Sequence, residues 1–138
     1  PAALAVARGR LGISPSTAGF VLPLGATMNM SGTALYEGCV VLFVAQVFGV
    51  HLGLVEQVTL VFLSVLSAVA VAAIPGGSLP LIAGLLVAFG IPPEGIGIIL
   101  GVDRLLDMTR TMTNVGSDMV TTAVVDARQR ATGHAGRV

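Results

Sequence analysis

No charged residue occurs between Arg10 and Glu37, and none occurs between Glu56 and Glu94. A helix that crosses a bilayer core needs about 20 consecutive apolar residues, so both gaps are long enough to constrain the fold. Composition agrees. The chain has 138 residues, 54% of them hydrophobic and 10% charged, where a soluble domain carries about 25% charged residues. Mean hydropathy is +0.94. Such a chain is too apolar to be disordered. With seven Arg or Lys against seven Asp or Glu, it has no basic excess to attract nucleic acid. The bilayer is the solvent that fits, and the backbone must then satisfy itself as helix. The expected class is an all-α membrane protein.

The first gap runs through Phe20 to Met30, the polar patch Asn29 to Thr33, and an apolar run from Ala34 to Val50. With Pro23, Gly25 and Gly32 in the same stretch, residues 15–50 read as a transmembrane helix with a broken middle. The alternative is an ordinary helix with tolerated small residues. The second gap is divided at Ile74-Pro75-Gly76-Gly77-Ser78. As helices, Val58 to Ala73 and Leu79 to Ile91 would be about 24 and 20 Å long, short of a core about 30 Å thick. Residues 54–92 therefore read as a re-entrant helical hairpin with its tip at 74–78, rather than one kinked span.

Residues 93–127 read as a final transmembrane helix. On it Asp103, Asp107, Arg110, Asn114 and Asp118 have offsets of 0, 4, 7, 11 and 15. At about 100° per residue they share one stripe. Each charge shown to lipid at mid-membrane would cost about 2.5–3.5 kcal/mol, so the stripe is expected to face protein, ions or a substrate. Arg8 and Arg10 precede the first span, and Arg128, Arg130 and Arg137 follow the last. The positive-inside rule puts both ends in the cytoplasm, with residues 128–138 as a cytoplasmic tail. One span out, a hairpin dipping in from outside and one span back satisfy that parity. The chain starts at Pro1 within an apparent helix and is expected to be a piece of a longer protein.

Broken helices at mid-membrane expose backbone carbonyls and N–H groups, ligands for small cations and anionic groups respectively. Asn29, Asn114 and Asp118 add side-chain oxygens of the kind hard cations take. Arg110 offers a planar fork for a carboxylate, and Asp107 could hold an ammonium group. Together they suit an amino acid with an acidic side chain. Equally, they could pair with each other and fix the helix. Glu37 is a lone acid inside the broken span and a candidate proton carrier. Cys39 has no partner for a disulfide and sits in an apolar run, so it is expected to be a small buried hydrophobe. No Cys/His cluster suggests a structural metal. Gly76-Gly77-Ser78 lacks the Lys of a phosphate loop, which makes a soluble nucleotide-binding enzyme a weak reading.

The run from Leu22 to Gly38, with Asn29-Met30-Ser31-Gly32-Thr33 at its centre, resembles the seventh transmembrane segment and NMDGT signature of the dicarboxylate/amino acid:cation symporter family. Ile74 to Ser78 resembles the tip of that family's second hairpin. Gly101 to Val115 resembles its eighth segment. The three motifs fall in order over nearly the whole chain. The resemblance implies a non-enzymatic elevator-type symporter, homotrimeric and multi-pass in a plasma (inner) membrane. This chain would be the C-terminal half of its transport domain, with residues 1–14 the descending arm of the first hairpin and the N-terminal scaffold absent.

Carried over, Arg110 would bind the substrate's side-chain carboxylate and Asp107 its amino group. Thr33, Thr111 and Asn114 would complete the pocket, and the backbone of Ile74, Pro75, Gly76, Gly77 and Ser78 would close over it. Gly25, Asn29, Asn114 and Asp118 would form one sodium site. Thr27, Met30 and carbonyls near Ala68, Val69 and Val71 would form a second. Ser31 stands where the family usually has an Asp of a third site. Glu37 matches the proton-carrying glutamate of the excitatory amino acid transporters. The implied cargo is L-glutamate or L-aspartate with Na⁺, H⁺ or both. A C4-dicarboxylate or neutral amino acid symporter, or a channel-like bundle, are the alternatives.

Overall fold

Pro and Gly punctuate the helices of this chain. A computed structural model describes residues 1–70 and 77–135, and every regular element among them is helical. The α-helices are α1 (Ala2–Gly9), α2 (Pro15–Met28), α3 (Ser31–Val47), α4 (Leu54–Ala70), α5 (Leu79–Ala88), α6 (Ile96–Leu100) and α7 (Asp103–Ala135), with a 3-10 turn at Pro93–Gly95 before α6. The hairpin tip is only partly described, because Val71, Ile74, Pro75 and Gly76 lie outside the described residues. Gly77 and Ser78 form a turn leading into α5, whose second residue is Pro80. A Pro there suits the first turn of a helix, where its missing N–H has no partner to lose.

Two compact units make up the chain: residues 1–29 with 115–138, and residues 30–114. In the first, α1 lies against α2. Ala7, Ile13, Ala18 and Leu22 form its core, flanked by Met119 and Ala123 of α7. Ser14 caps α2 by accepting from the Thr17 N–H at 3.2 Å. Its own N–H donates to Asp126 Oδ1 at 3.0 Å. Thr17 Oγ1 donates to Gln129 at 2.7 Å, and Arg130 pairs with Asp126. In the second unit α3 packs along α4 and touches α5. The core joins Tyr36, Val40, Val41, Val44 and Ala45 of α3 to Leu60 of α4, Ile82, Leu85 and Leu86 of α5, and Ile91 and Ile99 beyond it.

Three boundaries differ from the sequence expectation. The polar patch 29–33 is not all break. Only Asn29 (φ −97°, ψ 91°) and Met30 (φ −109°, ψ 40°) leave the helix, and Ser31 already begins α3. Residues 93–127 are not one helix, since the 3-10 turn and α6 precede a fresh start at Asp103 after Gly101. Pro92 and Pro93 at one end and Gly101 at the other interrupt the ladder. Beyond the expected end at Ala127, α7 continues to Ala135.

Helix α7 is inverted relative to a soluble amphipathic helix. Arg110, Asp118, Thr122 and Asp126 are buried, while Leu105, Met108, Met112, Val120 and Val124 are exposed. Phe20, Leu35, Phe62 and Leu66 are also more than 60% exposed. Apolar surface on this scale needs lipid or further protein to cover it. Among the described residues, Pro15–Val47 is the one stretch long and apolar enough to cross a membrane by length and composition. Cys39 departs from expectation: it is exposed. The face of α3 that it shares with Leu35 points away from the core that Val40 and Val44 enter.

Candidate functional site

The polar stripe of α7 divides between the two units, and each part builds its own cluster. In residues 30–114 the cluster is centred on Arg110, whose side chain is 8% exposed. One arm of its guanidinium donates to Ser78 Oγ and the other pairs with the Asp107 carboxylate one turn earlier. Above the guanidinium lies the Tyr36 ring, 5.4 Å from carbon to ring centre, within cation–π range. The Tyr36 hydroxyl in turn donates to Asp103 Oδ1 at 2.7 Å. A guanidinium cannot shed its charge, and burial is tolerated here because three groups answer it. Sequence left open whether Asp107 and Arg110 pair with each other. In this structure they do.

Next along α7, Asn114 meets the first turn of α3. Its Oδ1 accepts from the Gly32 N–H at 2.7 Å. That N–H belongs to the first turn of α3, where no intrahelical acceptor exists, and Met30 offers no side-chain cap. Asn114 Nδ2 donates to Thr33 Oγ1 at 3.3 Å and lies 3.6 Å from Met30 Sδ. The approach requires glycine at position 32. A Cβ there would lie 2.5 Å from the Arg110 carbonyl oxygen and 2.9 Å from Thr113 Cβ. Thr33, Ser78, Asp107, Arg110 and Asn114 are thus held within one unit, and Thr111 on the same helix is exposed.

In the other unit, Asn29 Nδ2 donates to Ser117 Oγ at 2.6 Å and to Asp118 Oδ1 at 2.9 Å. Gly25 faces the same carboxylate so closely that any Cβ would collide with Asp118 Oδ1. Gly25, Asn29 and Asp118 thus lie together in this unit, whereas Asn114, the fourth residue of the expected sodium site, belongs to the other. Thr27 is exposed and donates to the Leu24 carbonyl at 2.9 Å. Met30, Ala68 and Val69 belong to the second unit, where Met30 and Ala68 are buried and Val69 is exposed. Glu37 is wholly buried in α3, and neither carboxyl oxygen has a hydrogen-bond partner among the described residues.

Sequence reasoning missed Tyr36, Ser117 and Ser78's side chain as partners of the polar stripe. Tyr36 did leave a signal: it is the one tyrosine of the chain and directly precedes the lone acid of an apolar run. Ser117 left none beyond its place beside Asp118.

A model of the sodium:dicarboxylate symporter family matches residues 1–128. The chain is 36% identical over 116 residues to the proton/sodium-glutamate symport protein of Bacillus subtilis (strain 168), covering 84% of this chain and 27% of that protein. It is 43% identical over 115 residues to excitatory amino acid transporter 2 of Homo sapiens, covering 83% and 20%. Against excitatory amino acid transporter 4 of Mus musculus it is 41% identical over 116 residues, covering 84% and 21%. The chain thus spans between 20% and 27% of the length of these curated relatives.

Proposed function

This chain belongs to the sodium:dicarboxylate symporter family, and on that premise we propose that it is the C-terminal part of the transport domain of an acidic amino acid symporter. The observation that carries the reading is the Arg110–Asp107 pair, buried on a helix whose other face is apolar. A substrate with a side-chain carboxylate and an α-ammonium group enters by exchange. Its carboxylate takes the guanidinium fork and its ammonium takes Asp107, so each buried charge keeps a counter-charge throughout. Thr33, Thr111 and Asn114 supply polar contacts, and the 74–78 segment closes over the bound molecule. Ser78, already on Arg110, is the link between closure and the bound carboxylate.

Sodium is co-transported cargo. Gly25, Asn29 and Asp118, with Asn114, form one site. Thr27, Met30 and the carbonyls at Ala68, Val69 and Val71 form the second. Glu37 carries a proton in the same cycle. The domain is arranged as a broken transmembrane helix (15–50), a re-entrant hairpin (54–92) and a final span (93–127), with a cytoplasmic C-terminus. It moves as an elevator against the scaffold of a homotrimer in the plasma (inner) membrane. The names of the relatives, a proton/sodium-glutamate symporter among them, support an acidic substrate and cation coupling.

The test is uptake by the full-length protein in proteoliposomes, with sodium and pH gradients imposed independently. Concentrative uptake of L-glutamate or L-aspartate driven by either gradient is expected. Downhill flux alone would make the protein a channel-like bundle. Preference for succinate or for a neutral amino acid would move it to another branch of the family.

A further inference from the structure

Two helices of this chain begin alike in sequence. Ser14 precedes α2 and Ser78 precedes α5, each with a Pro in the first helical turn. A serine at that place normally has extended backbone and turns its hydroxyl back to accept from an N–H of the first turn. Ser14 does so. It stands at φ −57° and ψ 141° and accepts from the Thr17 N–H at 3.2 Å. Ser78 stands at φ −83° and ψ −17°, and its side chain does not cap α5. Its Oγ instead accepts from one arm of the Arg110 guanidinium. The hydroxyl that local sequence assigns to the helix end is thus diverted to the buried charge.

Ser78 is 1% exposed and the Arg110 side chain 8%. A serine hydroxyl has one proton to donate and two lone pairs, whereas a guanidinium only donates. The bond between them therefore uses a lone pair of Ser78 and leaves its proton over. No acceptor for that proton occurs among the described residues. A buried donor with no acceptor is costly, so such a group in a native protein needs an explanation. Asp107 holds the other arm of Arg110, and on the reading above the substrate's ammonium draws that carboxylate away. Ser78 carries no charge to be drawn and stays beside the guanidinium. An ionised carboxylate is acceptor-only, with about four lone-pair sites, enough to accept from the guanidinium and from Ser78 at once. A side-chain amide offers one neutral oxygen, and hydrogen bonds to ionised groups are roughly twice as strong as those between neutral ones.

We propose that the Ser78 hydroxyl is a specificity determinant of this site, donating to the substrate's side-chain carboxylate on Arg110 and so favouring acidic amino acids over their amides. The inference rests on the reading of Arg110 as the group that receives that carboxylate. It gives the serine side chain a task separate from the closing of the 74–78 backbone.

The experiment measures uptake of radiolabelled L-aspartate and L-glutamate by the full-length protein in proteoliposomes, with L-asparagine and L-glutamine as competitors. Ser78→Ala is expected to raise the half-saturating concentration of both acids by about 10- to 100-fold, the loss of one hydrogen bond to a charged group. The effect should fall on half-saturation rather than on the maximal rate. The competing amides should weaken by less than about tenfold, so the preference for acids falls. Ser78→Cys keeps a side chain of similar shape with a weak donor and should lie between wild type and Ser78→Ala. It carries the same test where Ser78→Ala is poorly produced, and a wild-type preference in it counts against the proposal. Wild-type half-saturation in Ser78→Ala, beside loss of uptake in Arg110→Ala, overturns the role of Ser78 and leaves the Arg110 reading standing. Acid uptake that survives Arg110→Ala overturns both. An equal loss for acids and amides, or a lower maximal rate at unchanged half-saturation, assigns Ser78 a structural role and also overturns the proposal.

Discussion

Arg110 and Glu37 are both ionisable groups buried in the same unit, and the fold treats them in opposite ways. Arg110 is answered by Asp107, Ser78 and the Tyr36 ring. Glu37 is answered by nothing that meets hydrogen-bond geometry among the described residues. The difference follows from their chemistry. A guanidinium keeps its charge at any accessible pH, whereas a carboxyl can take up or release a proton. A permanent charge must be partnered to be buried at all. A carboxyl left without partners is suited to a change of protonation state, because no fixed bond has to break. On the proposed reading, Arg110 marks a binding centre and Glu37 a place where charge is carried.

The comparison breaks most sharply at Arg110. Arg110→Ala in the full-length protein is expected to reduce acidic amino acid uptake to background. It removes the fork that receives the carboxylate and strands Asp107, and leaving one member of a buried pair uncompensated costs about 3–5 kcal/mol. Uptake assays with radiolabelled glutamate and aspartate check this, and unchanged uptake of both would end the assignment. Glu37→Gln comes next in size. Glutamine keeps the shape but cannot carry a proton, so uptake should persist with its dependence on pH across the neutral range flattened. A Glu37→Gln protein as inactive as Arg110→Ala would mean that Glu37 holds structure or substrate, and the two buried groups would no longer differ in kind.

Much of this contrast was legible in the sequence. Offsets of 4, 7, 11 and 15 put Asp107, Arg110, Asn114 and Asp118 on one face, because helical period fixes which side chains share a side. The charge-free gaps, 11–36 and 57–93, pointed to the apolar helices α2 to α5. Helix ends at Met28 and Leu79 followed from local chemistry: an Asn beyond one and a Pro within the first turn of the other. What was not legible was the identity of distant partners. That the break would shrink to Asn29 and Met30 depends on Asn114, 82 residues away, capping the Gly32 N–H. The ring over Arg110 comes from Tyr36 on another helix. Cys39 sits on the outward face of α3, and in a helix apolar on most faces the sequence pattern does not separate inward from outward. Roles assigned through the family motif, such as those of Thr27 and Val69, concern bound states that residue patterning does not encode.

A smaller effect is expected at Ser31, the exposed residue that opens α3. On the proposed reading, serine at the position where the resembled motif has Asp supplies no carboxylate for a third sodium ion, and Glu37 with a proton would carry more of the coupling. Ser31→Asp should be well tolerated, since an acid at a helix N-terminus is favoured by about 0.3–1 kcal/mol. Uptake measured against sodium concentration should become steeper, with its pH dependence retained. An unchanged sodium dependence would mean that the carboxylate alone does not create a third site in this chain.

The smallest expected effect belongs to Tyr36, which tests whether Arg110 is held by its direct partners or by the group behind them. Tyr36→Phe deletes the 2.7 Å hydrogen bond to Asp103 and keeps an aromatic face against the guanidinium. A hydrogen bond to a charged group is worth about 1.5–3 kcal/mol net, and the cation–π contact it leaves behind about 0.5–2 kcal/mol. Thermal unfolding of the full-length protein should shift down slightly, with substrate affinity altered by less than about tenfold. Tyr36→Leu removes both contacts and should do more on each measure. If Tyr36→Phe instead matches Arg110→Ala in lost uptake, the Asp103 bond would be the anchor of the site. Arg110 would then depend on a partner two contacts away, and its contrast with the unpartnered Glu37 would rest on Asp103 rather than on the guanidinium's own neighbours.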